Sequence, residues 1–126
     1  MADIGLLTSM LEDGTQASIL QGNLLGYKGA IFENLVADIL GKMGRRLYYY
    51  HKDGGIELDF VIRYCGECVP VECKATTGNS KSLRTVLKHP EKYHVNYCIK
   101  LGDYNIGRKE NIFTIPMYMA FMLTSV

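Results

Sequence analysis

Asp59, Glu72 and Lys74 are the residues in this chain whose types and spacing suggest chemistry. Of its acids, only Glu72 is followed two residues later by a lysine, and the strand-like run that carries the pair follows a second such run bearing Asp59. Two carboxylates bind a hard divalent cation such as Mg²⁺ or Mn²⁺ incompletely and leave waters on it. The cation then polarises a phosphate and lowers the pKa of an attacking water. A lysine beside that water can orient it and offset negative charge as it develops. The backbone carbonyl of Cys73, between Glu72 and Lys74, is a further candidate ligand.

The stretch Gly55 to Ala75 must position this set. Two runs rich in β-branched and aromatic residues flank Cys65-Gly66-Glu67-Cys68, which predicts an antiparallel hairpin. With Gly66-Glu67 as a type II′ loop, Tyr64 faces Val69, Ile62 faces Val71 and Phe60 faces Cys73. Asp59 then lies across from Lys74, with Glu72 as diagonal neighbour at roughly 7–8 Å. The opposite face would carry Glu57, Asp59, Val61, Arg63, Pro70, Glu72 and Lys74, nearly all polar. A plain solvated sheet face, with an Asp59–Lys74 ion pair of little energetic weight, fits the same residues.

The flanking elements add context. Phe32, Leu35, Val36, Ile39, Leu40 and Met43 recur at helical spacing and predict a helix from about Gly29 to Met43, with Glu33 in its first turn beside the apolar stripe. Leu47 to Tyr50 reads as a short strand whose tyrosines pack. Residues 76–80 read as a loop ending in an N-cap, before a helix with Leu83, Val86 and Leu87 on one side and Lys81, Arg84 and Lys88 on the other. Pro90 ends that helix, Val95 to Leu101 reads as a strand, and residues 102–111 are turn-rich. Ile112 to Ile115 forms another strand, and Pro116 opens a closing apolar helix over Met117 to Leu123 that packs on the core. Before residue 25 the signals are weak.

Composition sets bounds. The 126 residues, 48% of them hydrophobic, suit a single domain: an N-terminal extension over 1–25, a core over 29–101, and a C-terminal strand and helix over 102–126. A net charge of +1 gives no global drive toward nucleic acid, so binding of that kind must rest on a local patch. No apolar run is long enough to span a membrane, and four cysteines without a secretory pattern suggest thiols kept reduced in a cytoplasm. Cys65-x-x-Cys68 has the spacing of half a zinc site or a redox pair. With no second such pair, a hairpin turn accounts for it better.

The order helix, strand, strand, strand, helix, strand, with Asp59 and Glu72-Cys73-Lys74 on the second and third strands, resembles the PD-(D/E)XK, or restriction-endonuclease-like, superfamily. That resemblance implies an α/β fold with an α-β-β-β-α-β core and a mixed central sheet flanked by helices. Glu33, in Phe32-Glu33-Asn34, matches the helix acid many members carry.

A second resemblance rests on Asp3 to Leu7, Gly29 to Asn34, Tyr48 to Tyr50, Glu57 to Phe60, Val71 to Lys74 and Ile115 to Met119. These segments are similar to the nuclease-like domain found C-terminal to prokaryotic AAA+ ATPase modules. It implies an ATPase module as partner, in cis or in trans. This chain has no GxxxxGK[ST] phosphate loop, so ATP hydrolysis is not expected of it.

The leading expectation is therefore a Mg²⁺- or Mn²⁺-dependent nuclease-type domain. Asp59, Glu72 and the Cys73 carbonyl would hold metal, Lys74 would position water, Glu33 would tune or bridge to the metal, and Lys81 or Arg84 would hold the substrate backbone. The different-class alternative is a catalytically silent module that docks nucleic acid or a partner such as its own ATPase.

Overall fold

The computed structural model describes residues 3–23, 27–74 and 78–124. The short helices α1 (Ile4–Ser9) and α2 (Thr15–Leu20) precede the long helix α3 (Lys28–Lys42). Strands β1 (Tyr48–Lys52), β2 (Ile56–Tyr64) and β3 (Glu67–Lys74) follow, then helices α4 (Lys81–Leu87) and α5 (Pro90–Tyr93). Strands β4 (Cys98–Gly102), β5 (Gly107–Lys109) and β6 (Ile112–Pro116) lead into a 3-10 helix over Met117–Met122. The six strands form one sheet in the order β1-β2-β3-β4-β6-β5. The β3–β4 and β4–β6 pairs are parallel and the rest antiparallel, so the protein is a mixed α/β domain. No described helix is long and apolar enough to cross a membrane.

The sheet is buried on both sides. On one face, Val36 and Leu40 of α3 pack with Phe60, Ile62, Val69, Val71, Ile99 and Leu101. On the other, Leu83 and Val86 of α4 pack with Leu58, Val95, Cys98 and Ile112. Central strands covered on both faces are expected to read as nearly continuous apolar runs, as β4 does. The second face of the hairpin is therefore covered only in part: Pro70 and Glu72 on that side are buried, while Glu57 and Arg63 are exposed.

The hairpin closes differently from the expected form. Tyr64 pairs with Glu67, Ile62 with Val69 and Phe60 with Val71, so the loop is Cys65-Gly66 rather than Gly66-Glu67. Both loop residues have positive φ, 49° and 82°, as a type I′ turn requires. The register differs from expectation by two residues. An even shift keeps every side chain on its face, so the burial pattern tolerates it, whereas a shift of one would have inverted the strand.

β2 also changes face along its length. Opposite β1, Tyr48 pairs with Val61 but Tyr50 with Leu58, so β2 carries an extra residue between those pairs. Leu58 accordingly joins the α4 side, while Phe60 and Ile62 join the α3 side. Such a bulge re-aims side chains and ends local pairing. Asp59 sits at that break.

Elsewhere, α3 matches its predicted span within a residue. Asp3 caps α1 by accepting the Leu6 N–H at 2.8 Å, a helix too short for a periodicity signal. β4 starts three residues later than predicted, at Cys98, because His94 adopts a left-handed conformation after α5. Pro90 opens α5 rather than only following α4. Of the 76–80 loop, only residues 78–80 are among those described. The closing segment is a 3-10 helix that buries Ala120 and is followed by buried Leu123, but leaves Tyr118, Phe121 and Met122 exposed. A 3-10 helix stacks side chains three apart, so its apolar residues spread round the axis instead of forming one seam. Of the three tyrosines, only Tyr50 packs, edge-on to Tyr93 at 6.1 Å; Tyr48 and Tyr49 are exposed.

Candidate functional site

The last turns of β3 carry the site. Glu72 and Lys74 alternate onto one side of the strand, and Lys74 Nζ donates to Glu72 Oε1 at 3.1 Å. Glu72 is buried, with only 5% of its surface exposed, while Lys74 keeps about a third of its side chain open. Glu72 Oε2 is wholly buried and finds no hydrogen-bond partner among the described residues. Leaving such an acceptor unsatisfied costs roughly 1–3 kcal/mol, more for a charged group.

Asp59 reaches the same place by a different route. The β2–β3 ladder ends at Phe60 opposite Val71, and beyond it the Cys73 N–H donates to Asp59 Oδ2 at 2.7 Å. A side chain thus takes the position of the missing strand partner. The expected Asp59–Lys74 cross-strand pairing does not occur, because the turn shift and the bulge move Asp59 along the strand. In an extended strand the N–H and C=O of one residue point to the same side, so the Cys73 carbonyl also faces the gap where β2 leaves β3.

Charge accumulates in this gap. The Asp59 carboxyl is raised above its ordinary range, chiefly by burial and further by Glu72 and Glu57, against the Cys73 N–H and Lys74, which lower it. Glu33, on the exposed first part of α3, is raised by burial and by the charges of Asp59 and Glu57. For Lys74, burial works to lower the pKa, but the Glu72 hydrogen bond and the charges of Glu72, Asp59 and Glu33 outweigh it and raise the ammonium. Four acids and one lysine therefore act on one another electrostatically. No group of three or more His, Cys, Asp or Glu side chains among the described residues is arranged to hold a metal by itself.

The two predicted backbone-holding cations both lie on α4. Gly78 and Ser82 tie the start of α4 to this region: Lys100 Nζ donates to the Gly78 carbonyl at 2.7 Å and the Glu57 N–H donates to Ser82 Oγ at 3.3 Å. Lys81 opens that helix and is exposed. Arg84 donates to Asn79 Oδ1 at 3.3 Å and lines a separate groove with Lys88 and Lys109, toward the start of β6.

Lys100 is the residue that sequence reasoning missed. It is buried, stands in register with Glu72 on the neighbouring parallel strand, and holds its ammonium 5.1 Å from the Tyr104 ring centroid. A lysine between Ile99 and Leu101 was the available signal, since a charge in a doubly covered strand requires partners.

Asp59 yields a direct test of this geometry. Asp59→Ala is expected to orphan the buried Cys73 N–H and to cost about 1–3 kcal/mol in urea unfolding, while Asp59→Asn, which retains an acceptor oxygen, costs clearly less. Equal losses would contradict the hydrogen-bonding role.

The cysteines are free. Cys65 and Cys68 are exposed at the turn, whereas Cys73 and Cys98 are buried. Burial, then the Asp59, Glu33 and Glu72 charges, pushes the Cys73 thiol far up; burial and then Glu72 push Cys98 up to about 12. A thiol reagent should titrate two cysteines rapidly in the native protein and four in denaturant. The stability contributed by neutral Cys98 is full below its unfolded pKa of about 8.5 and is lost as pH rises toward 12.

The fold and site thus define a mixed α/β domain with an acid–lysine cluster at the end of a central strand. A family model described as a domain of unknown function (DUF4143) matches residues 28–120, which span α3 through most of the 3-10 helix, and the chain belongs to that family. No curated protein and no solved structure matches it.

Proposed function

We propose that this chain is a restriction-endonuclease-like domain of the PD-(D/E)XK kind, a Mg²⁺- or Mn²⁺-dependent nuclease that hydrolyses nucleic-acid phosphodiester bonds. The carrying observation is Glu72 Oε2, a buried carboxylate oxygen with no hydrogen-bond partner among the described residues, on a carboxyl close enough to Asp59 to raise its pKa. The donor set fits a small hard cation: two carboxylates and the Cys73 carbonyl offer only oxygen, and too few of it to displace all the metal's waters.

When bound there, the cation would polarise the phosphate and supply an acidified water. Asp59 is held in place by the Cys73 N–H, so its second oxygen is directed by the backbone rather than by a flexible rotamer. Lys74, kept protonated by its acidic neighbours, orients a water and offsets charge on the phosphate. Glu33 adds negative potential at the rim and favours cation entry. Burial of Glu72 limits competition from bulk water for its oxygens. The order α3-β1-β2-β3-α4-β4 supports the superfamily reading, since the acids lie on the second and third strands in that order.

The docking-module alternative draws on the absence of a self-sufficient metal cluster among the described residues. It differs in one outcome. Incubated with Mg²⁺ or Mn²⁺ and labelled single- and double-stranded DNA and RNA, the protein should cleave at least one of them, and chelator should stop it. Absent cleavage in every case, with the protein folded, would favour docking, with an AAA+ ATPase module as the first partner to test.

A further inference from the structure

A cavity of about 440 Å³ lies at the C-terminal ends of β4 and β6, beside the end of the strand that carries Glu72 and Lys74. Its volume falls within the roughly 300–1,000 Å³ of small-ligand pockets, and ligands of parallel sheets gather at this end of the strands. Gly102 joins the two places: it pairs with Lys74 on one side and Pro116 on the other. A Cβ there would come within 2.5 Å of both the Lys74 carbonyl oxygen and the Tyr104 ring. The glycine therefore lets that ring lie directly against the strand end next to Lys74. Lys100 sits at 5.1 Å from the ring centroid.

Two more aromatic rings reach the cavity from other elements. Tyr118, in the first turn of the 3-10 helix, is 77% exposed, and Phe32 comes from α3 with Lys28 Nζ 5.6 Å from its ring centroid. Asp103 and Asn105 supply hydrogen-bonding groups at the wall. Rings interleaved with cations and amide or carboxylate groups suit a flat, polar-edged ligand attached to an anion. They do not suit an apolar helix, for which Lys28, Asp103 and Asn105 would have to be desolvated unpaired.

We propose that this cavity receives a nucleobase of single-stranded nucleic acid, stacked on Tyr118 with Tyr104 as the wall toward Lys74, which places the adjoining phosphate beside the acid–lysine cluster. The inference rests on the nuclease reading and narrows its substrate class. A base within a duplex presents only its edges to the grooves, whereas an unpaired base offers a face for stacking.

The test is anisotropy of a labelled short oligothymidylate, of an abasic sugar-phosphate strand of equal length and charge, and of a duplex, all in Ca²⁺ to limit turnover. The base-bearing single strand should bind tightest. Tyr118→Ala should weaken it about 5- to 30-fold, with Tyr118→Phe close to wild type, as expected for loss of one stacking partner. Tyr118 is exposed, so its truncation leaves the core packing in place, and a circular dichroism spectrum checks it. Equal affinity for the abasic strand, preference for the duplex, no binding at all, or indifference to Tyr118→Ala would each overturn the proposal. Base-dependent binding with no metal-dependent cleavage would uphold the cavity and reject the nuclease. Duplex cleavage unaffected by Tyr118→Ala would do the reverse.

Discussion

Lys74→Ala is expected to reduce metal-dependent cleavage by about 100-fold or more in protein that still folds. Removing one preorganised electrostatic group at a reacting centre typically costs 10²–10³ in rate. Lys74 is suited to that role by position: a third of its side chain is open, and its ammonium is held 3.1 Å from Glu72 Oε1. Because β3 is fixed by pairing on both sides, truncation keeps the sheet, but it takes from buried Glu72 its ion-pair partner and should lower the melting temperature, so cleavage is compared at a temperature where both proteins are folded. Lys74→Arg is expected to rescue little, since a planar guanidinium cannot reproduce a compact ammonium donor. Contaminating nuclease would survive both substitutions, and so the comparison carries its own control. Cleavage by Lys74→Ala at the wild-type rate would remove this lysine from the mechanism.

The second large effect runs the other way in stability. Glu72→Met should raise the melting temperature of the metal-free protein by several degrees while abolishing activity and any response to Mn²⁺. A buried carboxylate with an unpartnered oxygen is costly, and replacing buried ionic groups with apolar ones of similar volume is often neutral or stabilising by about 1–4 kcal/mol. Lys74, released from Glu72, can turn to solvent.

The other acids point to the same strain. Asp59 and Glu33 have folded pKa values raised above ordinary carboxylates, burial being the first cause in each. Groups raised in this way contribute stability that is full below their unfolded pKa, near 4, and is lost as pH rises through the folded value. At neutral pH the metal-free site therefore weakens the fold, and Mg²⁺ or Mn²⁺ should raise the melting temperature more at pH 7 than at pH 5. A Glu72→Met protein less stable than wild type would show that Glu72 is compensated in the native state after all.

Much of the fold around the candidate site is legible in the sequence because it rests on local rules. Apolar spacing marks α3 within a residue, and alternation along β2 and β3 correctly separates Phe60 and Ile62 from Val61. The register was not legible for a reason of small energies. Gly66 suits either turn, and choosing type I′ requires Cys65 to accept a φ of 49°, which local preference disfavours. The bulge that carries Leu58 to the α4 side depends on pairing with β1, a contact that periodicity within one strand does not contain. Lys100 is hard to foresee because its partner is a backbone carbonyl across a loop, and a helix face, read alone, gives Arg84 no direction along the sheet. The exposed rings of the 3-10 helix were read as core for the same reason: apolar composition does not distinguish a packed turn from one that presents its aromatics outward.

The central claim is that Asp59 and Glu72 together hold a divalent cation. The measurement that tests it most directly is a Mn²⁺ titration followed by electron paramagnetic resonance, comparing wild type with Asp59→Asn and Glu72→Gln, each confirmed folded. Both substitutions remove one negative oxygen with little change of shape. The account predicts one saturable site in the wild type, weakened at least 10-fold in either variant. Wild-type protein that binds no Mn²⁺, or binding that survives both substitutions unchanged, would contradict it.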